Sequence, residues 1–199
     1  MNDDQNKYEK LIEIVRLVND SEISSIRSIV SGIIKIINDP NSTANDLKDL
    51  IEIDAPLASK VLKVANSGFY YRGYHVTDIE QAIIWIGYDS IKELALSQKV
   101  CDIFKKNLSI DGYSRASLWK HCLAVALFSK LIFRREFGER GGNIYAAGLL
   151  HDIGIIAEDQ FLHKDFNKCI ILSKEDKGNL SKVETGVFNL THAERIALH

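Results

Sequence analysis

The sequence predicts an all-α protein that folds as a compact multi-helix bundle with an N-terminal helical subdomain. Apolar residues recur at the spacing of amphipathic helices along nearly the whole chain, and no long stretch alternates apolar and polar residues. Only two of the 199 residues are proline, which leaves the helical patterns largely uninterrupted. Hydrophobic residues make up 46% of the chain and charged residues 26%, as in globular proteins with a substantial core.

Turn residues divide the helical pattern of the N-terminal half. The turn-forming stretch 38–42 separates two amphipathic segments, and Ser42 or Thr43 caps the helix that follows it. Pro56 suits the first turn of the next helix, since that position needs no N–H donor. The stretch 66–77 is rich in Gly, Tyr and Asn and is predicted to be a loop. The helical patterns of this half are Leu11–Val18, Ile26–Ile37, Leu47–Ile51, Leu57–Val64, Asp78–Ile86 and Ser90–Phe104.

The C-terminal half follows a polar stretch, Lys105–Ser114, which is the predicted linker. A long helix is predicted from Arg115 to Phe137, where a glycine-rich turn ends it. The next helix is predicted to end near Asp152, with Gly154 as its stop signal. Weaker helical patterns lie at Phe166–Leu172 and from His192 onward.

Charge and composition exclude several classes of function. The formal net charge is −2, so no global field attracts nucleic acid or anionic lipid. No apolar run approaches the roughly 20 residues that span a bilayer, and Cys122–Phe128 is about the longest. The polar N-terminus is unlike a signal peptide, and the three cysteines match no zinc or CxxC spacing. We therefore expect a cytoplasmic protein that contacts no membrane and has no strong nucleic-acid signal.

Residues that suit metal chemistry stand in the C-terminal half. His121 is predicted to point inward, because it shares a helical stripe with the apolar residues Leu118, Val125, Phe128 and Ile132. Taken alone, such a histidine is more often a hydrogen-bonded core residue than a ligand. His151 and Asp152 end the next helix, and the absence of a side chain on Gly148 permits a close helix approach there. Two imidazoles and a carboxylate suit a divalent ion such as Zn, Fe or Mn.

This arrangement resembles a known superfamily. The run Ala147–Gly154, which contains the His-Asp pair, and the preceding helical His121 are similar to the HD superfamily of metal-dependent phosphohydrolases. The upstream runs Asn38–Pro40, Leu57–Tyr70 and Ile79–Gly87 resemble the HDOD domain, an HD-related output domain of bacterial signalling proteins. The resemblance implies an HD-like all-α fold.

The resemblance also implies a domain organisation. Residues 1–23 form an N-terminal helical extension, and residues 24–199 form the HDOD domain. Within it, 24–110 is an N-terminal helical half, and 111–199 is an HD-like half that looks shortened at its C-terminus.

The resemblance implies a metal site at His121, His151 and Asp152, with His192 at a position where related proteins have a further histidine. The implied cofactor is a divalent metal ion: Fe, Mn, Zn or Ni. The superfamily's last ligand is an aspartate on a later helix, and no convincing equivalent is found. The later aspartates are predicted to lie in polar, loop-like context: Asp159, Asp165 and Asp176.

A second candidate site is the loop that begins at Asn66. Asn66 is a common helix-end residue and the aromatic residues Phe69 and Tyr70 are common packing residues, so the loop has an ordinary structural interpretation. Alternatively, Asn66, Phe69, Tyr70 and Arg72 form a ligand- or partner-binding surface, in which aromatic rings stack and a cation meets a phosphate.

Two functions follow from these patterns. The first is a non-catalytic signal-transduction module that binds a signalling protein or a small nucleotide, as the HDOD resemblance implies. The alternative is a metal-dependent phosphohydrolase acting on a nucleotide or a cyclic dinucleotide, in which a metal-bound water attacks phosphorus. The lack of a recognisable last aspartate favours the module without catalysis.

Overall fold

The structure is a computed structural model that describes residues 23–70, 73–105, 109–110, 113–175, 179–189 and 191–196. The described chain is almost entirely helical, which confirms the all-α prediction. Its one departure is a two-residue antiparallel ladder, β1 (Ser109–Ile110) with β2 (Tyr113–Ser114), inside the predicted linker. The predicted N-terminal extension lies outside the described residues except for its last residue, Ile23.

The helices follow one another with short connections. Their bounds are α1 Ile23–Asn38, α2 Ala44–Glu52, α3 Ala55–Ala65, α4 Ile79–Ile86, α5 Tyr88–Ile103, α6 Arg115–Phe137, α7 Gly142–Leu150, α8 Ile153–Phe161, α9 His163–Glu175, α10 Leu180–Phe188 and α11 His192–Ile196. The long helix α6 has the predicted bounds. Gly154, the predicted stop signal, instead lies inside α8, because the preceding helix already ends at Leu150.

The described residues form two compact units that do not follow chain order. The first, which we call the histidine unit, contains residues 23–24, 103–122 and 150–196. The second, which we call the aliphatic unit, contains residues 25–102 and 123–149. Helix α6 contributes residues to both. The division of the family domain at residue 110 stays a prediction.

Capping residues define the helices of the aliphatic unit. Thr43, one of the two predicted caps, forms a capping box with Asp46 at the start of α2. Asp54 accepts the N–H of Leu57 at the start of α3, where Pro56 lies in the first turn as predicted. The buried faces of α1, α2, α3 and α5 form an aliphatic core of fully buried residues: Ile33, Leu47, Ile51, Leu57, Val61, Ile91, Leu96 and Val100.

Helices α6 and α7 pack closely within the aliphatic unit. A Cβ on Gly148 would lie 2.8 Å from the Cα of Ala126, too close for any side chain. The predicted close approach at Gly148 is thus confirmed. The bulky residues of α6 lie on another side of the helix: Phe128 is 64% exposed and Ile132 is 59% exposed. The predicted inward direction is therefore wrong for Phe128 and Ile132, because Ala126, a small residue of α6, makes the buried contact with α7.

Helix α6 also bears on the expected absence of a membrane span. Among the described residues it is the one helix long and apolar enough to cross a bilayer by length and composition. Lys130, near its centre, donates to both oxygens of Glu93 in the same unit, at 2.6 and 2.7 Å. This packing and ion pairing make α6 part of a folded unit. Length and composition alone are weak evidence that a helix spans a membrane. The cytoplasmic location stays a prediction.

The histidine unit combines a small apolar cluster with buried charges. Ile155, Phe166 and Ile170 form the cluster, and Tyr113 packs its ring against Phe166 at 5.0 Å between centroids. Asp159, predicted in a loop-like context, lies fully buried in α8 and accepts a bond from Arg115 Nε at 2.6 Å. Its helix was missed because α8 begins immediately after the His-Asp pair, where the sequence indicated a stop.

Candidate metal centre

Three predicted site residues converge in the histidine unit. The Nε2 atoms of His121 and His151 lie 3.2 Å apart. The Oδ2 atom of Asp152 lies 3.4 Å from the first of these nitrogens and 3.1 Å from the second. The structure therefore brings together the residues that the sequence analysis placed in one site.

The local fold positions each ligand atom. His121 lies in the second turn of α6, and His151 and Asp152 form the short turn between α7 and α8. Asp152 occupies the residue before α8 but makes no capping bond with its side chain. Its carboxylate is consequently directed at the histidines instead of at the helix N–H groups.

The distances fit one first-row divalent ion. A tetrahedral ion with bonds of about 2.0–2.1 Å holds its ligand atoms about 3.3 Å apart. The three observed separations lie between 3.1 and 3.4 Å. Two imidazoles and one carboxylate are a donor set that zinc, iron, manganese and nickel accept. The three side chains could hold such an ion, which would act as a Lewis acid on a bound water or ligand.

The site is open to solvent on one side. The side chain of His121 is 54% exposed, whereas that of Asp152 is 16% exposed. The predicted inward direction of His121 is therefore wrong, although Leu118 of the same stripe packs against the apolar cluster of the histidine unit. An exposed imidazole beside a mostly buried carboxylate leaves room for a further ligand from solution.

His192, the fourth candidate ligand, reaches the cluster from α11. Its Nε2 lies 3.5 Å from Oδ1 of Asp152, the oxygen opposite to the one that faces the two histidines. Its Nδ1 lies 2.7 Å from Oε2 of Glu184, whose side chain is fully buried. A Cβ on Gly154 would collide with the backbone carbonyl of His192, so only glycine permits this approach.

The charges of the cluster set its protonation. Burial alone would lower the pKa of His192, but its bonds and charge interactions with Asp152 and Glu184 outweigh burial and raise the pKa to about 10. Burial likewise opposes ionisation of Asp152, yet His192 and the other two histidines hold its pKa below the usual value. Burial and the neighbouring Asp152 charge raise the pKa of the Cys122 thiol to about 11, so the free thiol is protonated at neutral pH.

Glu184 and Gly154 are the residues whose roles the sequence analysis missed. Glu184 is in register with Leu180 and Phe188 at four-residue spacing on α10, so it occupies a position of the apolar face. A carboxylate at such a position is costly unless it is paired. The presence of Glu184 on an apolar face was therefore the sequence signal that indicated a buried partner. The pairing with His192 could not be found from spacing, because it depends on the connection between α10 and α11.

Three of the other predicted site residues, Asn66, Phe69 and Tyr70, lie in the aliphatic unit. Asn66 uses its side chain internally: Nδ2 donates to the carbonyls of Leu62 and Val76, and Oδ1 accepts the N–H of Val76. Phe69 is 87% exposed and contacts the ring of Tyr70 at 4.8 Å between centroids. Arg72 lies outside the described residues.

Comparisons with known proteins agree with this geometry. The family model of the HDOD domain matches residues 23–197. An all-helical fold with a His/His-Asp cluster places the chain in the HD superfamily. Within it, the match over most of the sequence shows that the chain belongs to the HDOD family. No curated protein sequence matches the chain.

Solved structures with the same fold come from several bacteria. An HDOD domain protein of unknown function from Geobacter sulfurreducens is 32% identical, with a TM-score of 0.72 over 86% of this chain and 57% of its own. A protein provisionally named for signal transduction from Marinobacter aquaeolei VT8 is 27% identical, with a TM-score of 0.68 over 85% of this chain and 38% of its own. A protein provisionally named a phosphohydrolase from Shewanella amazonensis SB2B is 19% identical, with a TM-score of 0.64 over 86% and 60%. The chain thus spans less than two thirds of these relatives.

Proposed function

We propose that this chain is a non-catalytic regulatory module of a signalling pathway, which binds a protein partner and holds one divalent metal ion at the His121, His151 and Asp152 cluster. The family and the name of the relative from Marinobacter support the signalling role. The metal stabilises the module without hydrolysing phosphate esters.

The observation that carries the proposal is the carboxylate content of the cluster. Asp152 is the one carboxylate among the described residues that faces the two histidines. Asp159 is committed to Arg115 at 2.6 Å, and Asp165 pairs with Lys168 at 2.9 Å on the surface of α9. Asp176, the third candidate, lies outside the described residues. Among the described residues, the site therefore has a single carboxylate and no counterpart of the last aspartate that the resemblance to the superfamily's hydrolases implies.

Turnover and metal binding test the proposal together. The purified chain is incubated with Mn²⁺, Ni²⁺, Fe²⁺ or Zn²⁺ and with phosphomonoesters, nucleotides or cyclic dinucleotides. We expect no hydrolysis above that of Asp152→Ala, and calorimetry with Zn²⁺ alone should give one site that this variant lacks. Asp165→Asn removes an exposed carboxylate of the same unit and should bind Zn²⁺ as the wild type does.

The phosphohydrolase remains the second candidate, because three converging ligands with solvent access can also hold a catalytic metal. Metal-dependent turnover that disappears in Asp152→Ala but persists in Asp165→Asn would establish it and refute the non-catalytic role.

The partner surface that we propose comprises Phe69 and Tyr70. A large aromatic side chain at 87% exposure gains free energy when a partner buries it. Asn66 is instead a structural residue in this proposal, since its bonds close the loop. A protein is the occupant that we propose, because exposed aromatic side chains are enriched at protein–protein interfaces.

A cavity of about 340 Å³ lies elsewhere in the aliphatic unit. Its charged residues have mixed signs, with Asp39, Asp89, Glu93 and Glu139 beside Lys92 and Arg140. This lining does not favour a polyanionic nucleotide, which supports a protein as the partner.

A photo-crosslinking residue at position 69 tests the surface in cells of the source organism. We expect a protein adduct that Tyr70→Ala weakens. The same residue placed at Ile171, which is 56% exposed in the other unit, serves as the control. Adducts that are identical at both positions would refute the surface at Phe69.

A further inference from the structure

The most unusual buried group outside the three-ligand cluster is the carboxylate of Glu184. Its side chain is fully buried in α10, and both of its oxygens bind the same residue. Oε2 accepts the backbone N–H of His192 at 3.0 Å and lies 2.7 Å from Nδ1 of that ring, while Oε1 lies 3.0 Å from Nδ1. Burying a carboxylate is costly unless it is hydrogen-bonded and paired, and among the described residues His192 supplies this compensation.

The consequence is a fixed His192 ring. With Nδ1 held by Glu184, Nε2 can point only toward Asp152, where it lies 3.5 Å from Oδ1. The backbone of His192 is held as well, because its N–H binds Glu184 and its carbonyl packs on Gly154. Neither the ring nor the chain is free to turn away from the cluster.

The fixed ring in turn constrains Asp152. Because Oδ1 faces His192, Oδ2 is the oxygen left to face His121 and His151. Asp152 has no capping bond to hold it in this rotamer. The contacts with the three histidines are the interactions that orient its carboxylate.

We propose that Glu184, acting through His192, positions Asp152 for metal binding at the cluster. Outer carboxylates that orient a histidine near a metal typically change the metal affinity 10–100-fold when they are removed. This inference rests on the proposed metal site and adds to it a positioning pair, Glu184 and His192, contributed by α10 and α11.

The test is a double-mutant cycle on Zn²⁺ affinity, measured with the full chain and a competing chromophoric chelator. Glu184→Gln retains the size of the side chain but removes its charge, and we expect it to weaken Zn²⁺ binding about 10–100-fold. His192→Ala should weaken binding as well. In the His192→Ala background, Glu184→Gln should have no further effect, because its route to Asp152 is gone.

Asp159→Asn is the matched control, since it also converts a buried carboxylate of the same unit to an amide. It should lower the melting temperature but leave the Zn²⁺ affinity within about twofold, because none of its bonds reaches the cluster. Circular dichroism establishes that each variant is folded before titration.

The possible outcomes are distinct. If Glu184→Gln binds Zn²⁺ with wild-type affinity, the positioning role is refuted while the metal site stands. The positioning role is also refuted if Glu184→Gln weakens Zn²⁺ binding equally in the wild-type and His192→Ala backgrounds. A wild type that binds no Zn²⁺ refutes both the positioning role and the metal part of the proposed function. If Glu184→Gln does not fold, nitrogen NMR of wild-type His192 decides: a ring without a hydrogen-bonded proton on Nδ1 refutes the proposal.

Discussion

The two units of this protein are stabilised in different ways. The aliphatic unit buries Leu, Ile and Val side chains from α1 to α5, and its most buried charged residue among those described, Lys99, retains 8% exposure. The histidine unit buries Arg115, Glu158, Asp159 and Glu184 at 2% exposure or less. An apolar core tolerates changes in proportion to the volume lost, whereas a buried charge depends on its partner. Loss of a single partner is therefore most damaging in the histidine unit.

The largest effect is expected for Asp159→Ala. The substitution leaves the Arg115 guanidinium buried without its carboxylate, and the expected loss is about 3–5 kcal/mol in the free energy of unfolding. Urea denaturation measures it. Replacing both residues, as Arg115→Met with Asp159→Leu, should cost much less, since no unpaired charge remains. A double variant as unstable as Asp159→Ala would contradict this explanation.

A slightly smaller effect is expected in the aliphatic unit. Leu57 is fully buried at the start of α3, so Leu57→Ala removes apolar contact and leaves a cavity. We expect a loss of about 2–5 kcal/mol by the same urea measurement. Ile53→Ala is the control, because this side chain is 77% exposed and should change the stability by no more than about 0.5 kcal/mol. Equal losses in the two variants would place Leu57 outside the core.

The ion pair of the aliphatic unit predicts an acid-sensitive contribution. Burial opposes the charged form of Asp54, but the bond from Lys99 Nζ at 2.5 Å and the N–H of Leu57 outweigh it and lower its pKa. A lowered pKa in the folded state stabilises the protein above the unfolded value of about 3.9. This contribution is lost as the pH falls through the folded value.

Asp54→Asn removes the charge at every pH. At pH 7 it should lower the free energy of unfolding by roughly 1.5–3 kcal/mol, as for hydrogen bonds to charged groups. The difference from the wild type should shrink toward pH 3 in parallel urea titrations. A difference that stays constant with pH would mean that Asp54 acts only as a helix cap.

The smallest effect on stability is expected for His121→Ala in metal-free protein. Its side chain is 54% exposed, so the change should stay within about 0.5 kcal/mol. The same variant should lose the stabilisation by Zn²⁺, which in the wild type reaches about 2.7 kcal/mol at a hundredfold excess over Kd. Melting curves with Zn²⁺ and with chelator measure both quantities. A large loss in the presence of chelator would instead give His121 a structural role.

Much of the fold and the site was predictable because local patterns specify them. The bounds of α6 follow from helical spacing and a terminal glycine turn, and the close approach at Gly148 follows from the missing side chain. His121, His151 and Asp152 were predicted together from a resemblance to a known family. The direction of His121 was not predictable, because spacing gives a stripe but does not say which side of the helix is covered.

The sequence by itself determined the helical class, the helix start capped by Ser42 or Thr43, and the first-turn position of Pro56, because these depend on neighbours within a few positions along the chain. The candidate residues His121, His151 and Asp152 came from a resemblance to a known family. Only the tertiary structure decided that Glu184 binds His192, that Gly154 admits the His192 backbone, and that Asp159 pairs with Arg115. These contacts join residues on different helices, and their free energies depend on burial and distance. Burial and distance are set by packing, which no local spacing in the sequence encodes.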